Sequence, residues 1–547
     1  MQVSALLDAA IRTLRLTILF PMLYAPLAAA QSAQALLAGD APRVEVAGER
    51  LWTTPILRAL FADPARAPHW RDEQLAVMRE LIARAYDEGL DPRDYLDGRM
   101  ADAAALPPGE RDVLATEALA RLAFTLRFGK CNPEALDPDW NYTRSFGTTD
   151  PVDWMREAIA SNDLAARVEA LRPDTPHYRV VQAALKRYRE FVVHGGWPGV
   201  DKGATLRPGM DDDRAPQLRR RLAVTGEWER SDETLDERRY DEALVKAVKI
   251  FQAHHGLDTD GAVGRATTAA LNQTAEVRVT QLRVNLERLR WLSAELGAGT
   301  LVVNVAAFHG NYIEGGEVRW SGRVVVGRPD RKTPIFKARL SSIELNPTWT
   351  VPPTILKEDI LPKLRAGSHV LEEKQLRLLD SAGRPVDAAS IDWKGLRPGH
   401  FGYVLRGEPG PKNPLGQVAF LFPNPHDVYL HDTPQREVFV REDRALSSGC
   451  IRVEHPLLLA ARLLDDPEHW DEKALKDAVA TGKTRHVALP RAVTVMLVYL
   501  TAFADDDETI QFRRDVYGFD EPVRAALDAP LRLSLPKDVA TAAPAGA

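Results

Sequence analysis

Residues 429–433 read Tyr429-Leu430-His431-Asp432-Thr433, and residues 445–453 read Ala445-Leu446-Ser447-Ser448-Gly449-Cys450-Ile451-Arg452-Val453. Val428 to His431 are strand formers, so the first stretch is predicted to be a β-strand. A cysteine nucleophile needs a lowered pKa, a base within reach, an oxyanion site and some exposure. These two stretches offer a candidate for each requirement.

The residue types suggest a catalytic role for each candidate. Arg452 brings a positive charge that favours the Cys450 thiolate, and His431 can take the thiol proton and return it to a leaving amine. The backbone amides of Gly449 and Cys450 could face a tetrahedral oxyanion. From the residues alone, an inert buried cysteine and a structural histidine remain an alternative.

Strand alternation predicts which neighbours share the site. Tyr429 and Thr433 lie two residues from His431, so on a strand all three side chains share one face and line the pocket. Asp432 points the other way, which makes it a poor candidate to orient His431. The third member of a triad therefore stays open, with a backbone carbonyl as good a candidate as any side chain.

The surrounding C-terminal half is predicted to be β-rich. Strand-like runs occur at residues 301–305, 323–327, 401–405 and 493–499. Between them, residues 355–365 and 372–379 have helical character. A β-domain interrupted by about 50 residues fits a catalytic core with a lid, which we place at about residues 354–400.

The N-terminal half is predicted to be helical. From Trp52 to Trp197 the apolar residues recur at helical spacing, and residues 194–209 form a Gly/Pro-rich linker. A short helical module follows, in which Ala247, Val248, Ile250 and Phe251 share one stripe. The mixed charges of residues 211–213 and 219–221 predict a solvated face. Asp258 and Asp260 lack the other ligands of a calcium loop, so their turn is predicted to be structural.

Composition excludes several classes of protein. The chain has 547 residues with a formal net charge of −6, which disfavours a nucleic-acid binder driven by phosphate contacts. Its two cysteines, Cys131 and Cys450, are too far apart in sequence for a disulfide-stapled scaffold or a cysteine-based zinc site. We expect Cys131 to have a structural role in packing and Cys450 to be a free thiol. The histidines, among them His400 and His426, form no recognisable zinc-ligand set.

The two ends are predicted to lie outside the folded domains. Arg12 and Arg15 precede an apolar run, and Ala28-Ala29-Ala30 fits a cleavage site, so residues 1–30 are predicted to be an export signal or an uncleaved anchor. Both predictions place the rest of the chain outside the cytoplasm. Residues 536–547 are predicted to be a disordered tail.

A resemblance extends the interpretation of the helical module. Residues 247–257, then Asp260-Gly261-Ala262-Val263-Gly264, Thr267 and Leu271-Asn272, resemble the three-helix peptidoglycan-binding domain. The resemblance implies binding to the cell wall, which the periodicity alone did not indicate.

A second resemblance covers nearly all of the chain after the signal. The pattern His-x-Thr followed by Ser-x-Gly-Cys-Ile-Arg resembles the L,D-transpeptidase catalytic domain, and residues 346–352 and 406–416 resemble its large Gram-negative members. Those members also carry a helical scaffold domain, a peptidoglycan-binding domain and a lid. The resemblance implies Cys450 as nucleophile, His431 as general base and acid, and Gly449 as an oxyanion amide. It implies substrate-binding positions at Tyr429, Thr433, Ser447, Ser448 and Arg452.

The implied reaction is acyl transfer between peptidoglycan stem peptides through a thioester, with release of D-Ala and formation of a 3→3 cross-link. No cofactor or metal is implied. Implied partners are peptidoglycan stem peptides and glycan, wall synthases and hydrolases, and carbapenem inhibitors; nucleic acid is not among them, and membrane contact is confined to the N-terminal signal or anchor. Alternatives are hydrolysis of the same peptides by a carboxypeptidase or endopeptidase, attachment of a wall-linked protein, and a non-catalytic wall-binding scaffold.

The predicted fold is therefore multidomain α+β and periplasmic. An all-α scaffold at residues 45–205 and a three-helix peptidoglycan-binding module at 207–275 precede a β-rich, sandwich-like catalytic domain at 276–535.

Overall fold

A computed structural model describes residues 32–39, 41, 44–147, 149–229, 237–292, 299–396 and 401–536. The predicted signal at 1–30 and residues 537–547 of the predicted tail lie outside the described residues. Within the described part, no helix combines the length and apolarity needed to cross a membrane.

The N-terminal region is helical, as predicted. A small hairpin is formed by β1 (Glu45–Val46) and β2 (Glu49–Arg50). The helices are α1 (Ala33–Leu37), α2 (Thr54–Phe61), α3 (Asp72–Arg84), α4 (Asp97–Ala101), α5 (Pro108–Phe128), α6 (Pro133–Leu136), α7 (Pro151–Ala160), α8 (Leu164–Glu169) and α9 (Pro176–Val193). Helix α5 is buried on nearly every side, so the carboxylate of Glu117 near its centre needs hydrogen-bond partners. Glu117 accepts hydrogen bonds from the Trp52 amide at 2.7 Å and Arg121 Nε at 2.8 Å.

Segments from farther along the chain complete this helical core. The next helices along the chain are α10 (Arg214–Thr225), α11 (Glu242–His254), α12 (Arg265–Leu271) and α13 (Ala275–Leu292), and α19 (Asp520–Asp528) lies near the C-terminus. Of these, α13 and α19 contribute to the helical core. Trp291 of α13 and Leu527 of α19 pack in the same apolar cluster as α5. The predicted catalytic span of 276–535 thus includes two helices that belong physically to the scaffold core.

The binding module is built from α10, α11 and α12. Ala247, Val248 and Phe251 are buried in its core, whereas Ile250 is exposed. Gly261 has φ +73° and no room for a Cβ beside Val245, so the turn after α11 requires glycine. The turn has a structural role: Asp260 Oδ1 accepts the Ala262 amide at 2.8 Å.

The arginine run in α10 corrects the prediction of a solvated face. Arg219 and Arg221 are 0% and 1% exposed. Arg219 forms a salt bridge with Asp241 at 2.5 Å. Arg221 lies 4.1 Å over the Trp197 ring and donates to the Leu271 carbonyl at 2.8 Å. Long side chains can bury their stems when carbonyls, carboxylates and aromatic faces meet the guanidinium, and a local charge count cannot show this.

The C-terminal half is β-rich, which confirms the predicted fold class. Its strands are β3 (Thr300–Asn304), β4 (His309–Glu314), β5 (Glu317–Gly327), β6 (Lys337–Leu345), β7 (Trp349–Thr350), β8 (Leu376–Leu379), β9 (Val404–Gly407), β10 (Val418–Leu421), β11 (Leu430–His431), β12 (Ala445–Ser447), β13 (Ile451–Val453), β14 (Arg485–Val498), β15 (Ala502–Ala504) and β16 (Ile510–Phe512). In the described residues, nine of them form one sheet in the order β12-β5-β13-β11-β10-β6-β14-β3-β4. Because β4 also pairs with β5, the sheet closes on itself around an apolar core.

The remaining elements form flanking helices and the insertion predicted to be a lid, for which the name lid is kept. Strands β7, β9 and β8 form a separate small sheet. Helices α14 (Pro353–Ile355), α15 (Leu361–Arg365) and α16 (Val370–Glu373) lie in the lid, with a π-helical turn at Leu356–Ile360. Helices α17 (Pro456–Leu464) and α18 (Glu472–Ala480) follow β13. The small sheet has its own apolar core, so the insertion is a packed subdomain rather than a loop.

Candidate active site

The site lies where β11 and β13 run side by side. The two strands pair in parallel, with Leu430 opposite Ile451 and His431 opposite Arg452. Leu430 and Ile451 are fully buried in the catalytic core. By alternation, His431 and Arg452, which lie opposite each other, share the other face, and Tyr429 and Cys450 each lie two residues before one of them. Tertiary pairing therefore brings together the residues that the sequence placed in two stretches.

His431 is buried, and a backbone carbonyl fixes its tautomer. Its Nδ1 lies 2.5 Å from the Asp432 carbonyl oxygen. A carbonyl can only accept, so Nδ1 carries the proton and Nε2 keeps its lone pair. Burial, reinforced by the positive charge of Arg452, lowers the pKa of His431 to about 3. The imidazole is therefore a neutral base at physiological pH.

The Asp432 carboxylate serves a different purpose. It accepts the Gln417 amide at 2.8 Å and forms a salt bridge with Arg436 at 2.6 Å. Gly416 leaves the space for it, because a Cβ there would overlap the carboxylate. Burial raises the pKa of Asp432, against the opposing effects of the Gln417 amide and Arg436. The side chain braces the loop before β10, and only its carbonyl faces His431.

Ser447 holds the loop that carries Cys450. Its hydroxyl donates to the Cys450 carbonyl at 2.5 Å and accepts the Gly449 amide at 3.1 Å. The second bond gives the Gly449 N–H an acceptor in this structure, and its role as an oxyanion donor stays a prediction. Gly449 is required for another reason: its φ is +117°, in the region that favours glycine.

Thr333 is a supporting residue that the motif did not reveal. It is fully buried, donates from its hydroxyl to the Gly449 carbonyl at 2.7 Å, and accepts the Gly327 amide at 2.9 Å. Tyr517 donates to the Gly327 carbonyl and accepts the Thr333 amide at 3.2 Å. Both residues are remote in sequence from the motif, and only the fold brings them behind the loop.

The Cys450 thiol is partly buried and protonated at rest. Its Sγ lies 3.8 Å from the Asp427 carbonyl, which accepts the S–H. Burial raises the pKa of Cys450, although the Tyr429 amide and Arg452 act in the opposite direction. The expectation that Arg452 favours the thiolate holds for its sign, but burial outweighs it. The resting state thus has a neutral thiol and a neutral imidazole.

A chain of contacts positions Arg452. Its Nη1 donates to Gln435 Oε1 at 3.1 Å. The backbone N–H of Gln435 in turn donates to Thr433 Oγ1 at 3.2 Å. Thr433 is buried in the turn after β11, and its hydroxyl supports Gln435. Contact between Thr433 and substrate stays a prediction.

Ser448 and Tyr429 connect the site with the lid. Ser448 is exposed, and its Oγ lies 3.1 Å from Arg331 Nη1. Arg331 also forms salt bridges with Asp359 at 2.6 Å and Glu358 at 2.6 Å in the lid's π-helical turn. Tyr429 is half-buried between the core of the lid and the core of the closed sheet. The lid is therefore joined to the loop that carries the thiol.

Cys131 is far from this site. It is buried in the helical core, and its amide donates to Glu287 Oε1 at 2.7 Å. Burial raises the pKa of its thiol, reinforced by Glu287. Both cysteines are free thiols. Within the described residues, no group of three or more His, Cys, Asp or Glu side chains is placed to hold a metal ion.

Comparison with known proteins defines the class in three parts. Residues 298–485 match the L,D-transpeptidase catalytic domain, residues 55–185 a scaffold domain, and residues 217–271 a domain described as "Putative peptidoglycan binding domain". The chain is thus a three-domain protein whose thiol site lies in the first of these matches. Residues 298–485 are thus similar to the catalytic domain of L,D-transpeptidases.

A curated relative supports this assignment. A protein named "Putative L,D-transpeptidase" from Haemophilus influenzae is 35% identical over 252 residues, which are 46% of this chain and 50% of that protein. The chain therefore matches about half the length of this relative.

Two solved structures also match. They are an L,D-transpeptidase from Xylanimonas cellulosilytica (13% identity, TM-score 0.17, 55% of this chain and 99% of that one) and one from Stackebrandtia nassauensis (13% identity, TM-score 0.21, 55% and 96%).

Proposed function

We propose that the protein is a periplasmic cysteine L,D-transpeptidase that forms 3→3 cross-links between peptidoglycan stem peptides. One observation carries the proposal. The parallel pairing of β11 and β13 supports it, because it brings the segment before Ile451, which carries Cys450, next to the strand that ends in His431, and the Asp432 carbonyl leaves Nε2 as the basic nitrogen of the imidazole. A thiol nucleophile with an oriented base is thereby supported, with loss of the thiol proton coupled to attack because neither resting pKa favours the thiolate.

The first half-reaction forms a thioester. His431 Nε2 takes the Cys450 proton as Sγ attacks the carbonyl of the third stem residue, diaminopimelate in the family. The tetrahedral intermediate collapses, the bond to the terminal D-Ala breaks, and His431 returns the proton to the departing amine. Because both groups are neutral at rest, the charge develops only as the S–C bond forms.

The second half-reaction reverses these roles. An amine of a neighbouring stem attacks the thioester, His431 takes its proton, and the proton passes to the leaving Cys450 sulfur. The peptide bond that was broken is replaced by a new amide. Atoms and charges balance without a nucleotide or a redox cofactor.

The Cys450 amide is proposed as an oxyanion donor beside the Gly449 amide, which is hydrogen-bonded to Ser447 in this structure. Among the described residues, the Cys450 N–H donates to no acceptor, which leaves it available to a developing negative charge. Arg452 shares a face with His431 and is suited to bind a substrate carboxylate. Tyr429, Ser448 and the lid would enclose the donor stem, and wall synthases and hydrolases are proposed partners.

The test is incubation of the purified protein with tetrapeptide-containing muropeptides, followed by mass spectrometry. Cross-linked dimers are expected, and they should disappear in Cys450→Ala but persist in Cys131→Ala. Tripeptide without dimers would assign the protein to hydrolysis instead. Full activity in Cys450→Ala would overturn the mechanism. In a second assay, a carbapenem should add its mass to the wild-type protein and leave Cys450→Ala unmodified.

A further inference from the structure

A C-terminal segment, residues 499–520, packs behind the loop that carries the thiol. It lies beyond residue 485, where the match to the catalytic domain ends. Its two tyrosines, Tyr499 and Tyr517, are nevertheless buried in the core of the closed sheet. Their rings stack with centroids 5.6 Å apart. A buried tyrosine hydroxyl needs hydrogen-bond partners, and those of Tyr517 lead towards Cys450.

The hydroxyl of Tyr517 bridges the two ends of a tight turn, residues 327–333. It accepts the Thr333 N–H at 3.2 Å and donates to the Gly327 carbonyl. Burial raises the pKa of Tyr517, so the hydroxyl keeps the proton that it donates. Gly327 has no room for a Cβ, which would overlap the Arg331 carbonyl. One side chain thus holds together both ends of this turn.

Thr333 passes this constraint to the thiol loop. Its Oγ1 accepts the Gly327 N–H at 2.9 Å, and its hydroxyl proton is donated to the Gly449 carbonyl at 2.7 Å. A hydroxyl has one proton, so accepting from Gly327 directs that proton to Gly449. The direction of the Thr333 hydroxyl therefore depends on the turn that Tyr517 closes.

The Gly449 carbonyl belongs to the same peptide unit as the Cys450 N–H. A trans peptide unit is planar, and its C=O and N–H point in opposite directions; none of the described peptide bonds is cis. The hydrogen bond from Thr333 to the carbonyl therefore fixes the direction of the Cys450 N–H, which points away from Thr333. This is the N–H proposed above as an oxyanion donor.

Tyr517 is itself held on two sides. Its N–H donates to Tyr499 Oη at 2.9 Å, and its carbonyl accepts Lys332 Nζ at 2.8 Å. Lys332 is part of the turn, and its Nζ also lies 4.5 Å from the centre of the Phe519 ring. The turn and the C-terminal segment are thus joined by both main-chain and side-chain contacts.

The C-terminal segment is anchored to helix α13 of the helical core. Arg288 of α13 forms a salt bridge with Asp520 at 2.5 Å and donates to the Phe519 carbonyl at 2.8 Å. Thr501 Oγ1 donates to Asp520 Oδ2 at 2.7 Å. Contacts therefore continue from α13 through the C-terminal segment to the Gly449 carbonyl.

We propose that Tyr517 is a positioning residue for acyl transfer, because through Thr333 it fixes the peptide unit whose N–H meets the developing oxyanion. The proposal rests on the acyl chemistry proposed for Cys450. Removal of an oxyanion donor costs about 10²–10³ in kcat, so a donor that is aimed less well should cost part of that factor. Loss of the Tyr517 hydroxyl should slow attack on a carbonyl, but not a reaction of the same thiol that forms no oxyanion.

The test compares two reactions of Cys450 in the full-length protein. p-Nitrophenyl acetate acetylates the thiol through a tetrahedral oxyanion: an S–C bond forms, the ester C–O bond breaks, and His431 takes the thiol proton as p-nitrophenolate leaves. Iodoacetamide alkylates the thiol by displacing iodide, without an oxyanion. In Tyr517→Phe, which keeps the stacked ring, acetylation should slow at least tenfold and alkylation should stay within about twofold of wild type. Peptide mass spectrometry follows both rates at Cys450.

A matched control and a second pair of variants separate positioning from loss of stability. Tyr142→Phe removes another buried hydroxyl of the same core, which donates to the Leu497 carbonyl at 2.7 Å. Its melting temperature should fall about as much as that of Tyr517→Phe, whereas acetylation should keep the wild-type rate. Thr333→Val should slow acetylation as Tyr517→Phe does, and Thr333→Ser, which keeps the hydroxyl, should retain most of the wild-type rate.

The outcomes distinguish this proposal from the proposed function. Equal acetylation rates in wild type and Tyr517→Phe, or parallel falls in acetylation and alkylation, would overturn the positioning role. A wild-type thiol that iodoacetamide labels but p-nitrophenyl acetate does not acetylate would overturn both proposals. Normal acetylation of Cys450 without cross-linking of muropeptides would overturn the proposed function alone, and the contrast between Tyr517→Phe and Tyr142→Phe would still decide the role of Tyr517.

Discussion

The imidazole of His431 is oriented by the main chain of Asp432, through a 2.5 Å contact between Nδ1 and the carbonyl oxygen. The carboxylate of the same residue is used elsewhere, on Gln417 and Arg436. One residue thus contributes its backbone to the base and its side chain to the loop, and the two contributions can be separated by mutation.

Asp432→Asn should preserve the reaction. Asn keeps an acceptor for the Gln417 amide and leaves the carbonyl in place, so we expect kcat/KM within about threefold of wild type. Loss of the salt bridge with Arg436 should lower the melting temperature. A triad aspartate would behave differently, since Asp→Asn in the serine-protease triad costs about 10⁴ in kcat. A loss near that size, measured by donor acylation, would show that the carboxylate orients His431.

The fall in kcat/KM that protonation of a histidine base usually causes should not occur near the ordinary pKa of histidine. An ordinary histidine loses its basic nitrogen below a pKa of about 6.5. The pKa of His431 is lowered to about 3, so the base stays neutral on acidification through that range. We expect kcat/KM for donor acylation to be flat from about pH 5 to 7. A fall of about tenfold over those two pH units would contradict the assignment of His431 as a buried neutral base.

Thiol alkylation should distinguish the two cysteines. Only the thiolate reacts, and burial raises the pKa of Cys450, so its rate with iodoacetamide should still climb about tenfold per pH unit between about pH 7 and 9. Cys131 is buried and should react only after unfolding. The measurement is peptide mass spectrometry of labelled native protein. A plateau in the Cys450 rate near pH 7 would mean that its pKa is low.

The neighbouring serines form a matched pair. Ser447→Ala removes the partner of both the Gly449 amide and the Cys450 carbonyl, and leaving such buried groups unpaired costs about 1–3 kcal/mol each. We expect a lower melting temperature and at least tenfold slower acylation. Ser448 is exposed and its hydroxyl contacts only Arg331 among the described residues, so Ser448→Ala should leave the melting temperature unchanged and slow acylation less than Ser447→Ala does. Equal effects of the two variants would show that Ser447 does not hold the loop.

Arg331 should govern the mobility of the lid. Arg331→Gln removes its salt bridges with Asp359 and Glu358, so amide hydrogen exchange should accelerate in residues 356–365. Exchange in β6 and β14 should stay unchanged. Asp359→Asn should give the same pattern in weaker form, because the Glu358 pair survives. Unchanged exchange in the lid of Arg331→Gln would show that packing alone holds it closed.

The sequence by itself determined the helical and β-rich halves, the two stretches of the site and the inert character of Cys131. Periodicity, turn residues and short motifs are local, so they can be recognised in the sequence without knowledge of the fold. Resemblance added the domain types. The expected alternation of Tyr429, His431 and Asp432 also follows from local strand geometry.

Only the tertiary structure decided what surrounds these residues. Parallel pairing of β11 with β13 sets Cys450 beside Tyr429, and the fold brings Thr333 behind Gly449 from more than a hundred residues away. It also commits the Gly449 amide to Ser447 and buries Arg219 and Arg221. Burial then raises the pKa of Cys450 despite Arg452. Hydrogen-bond partners and desolvation depend on long-range packing, and a local pattern of residue types does not contain that information.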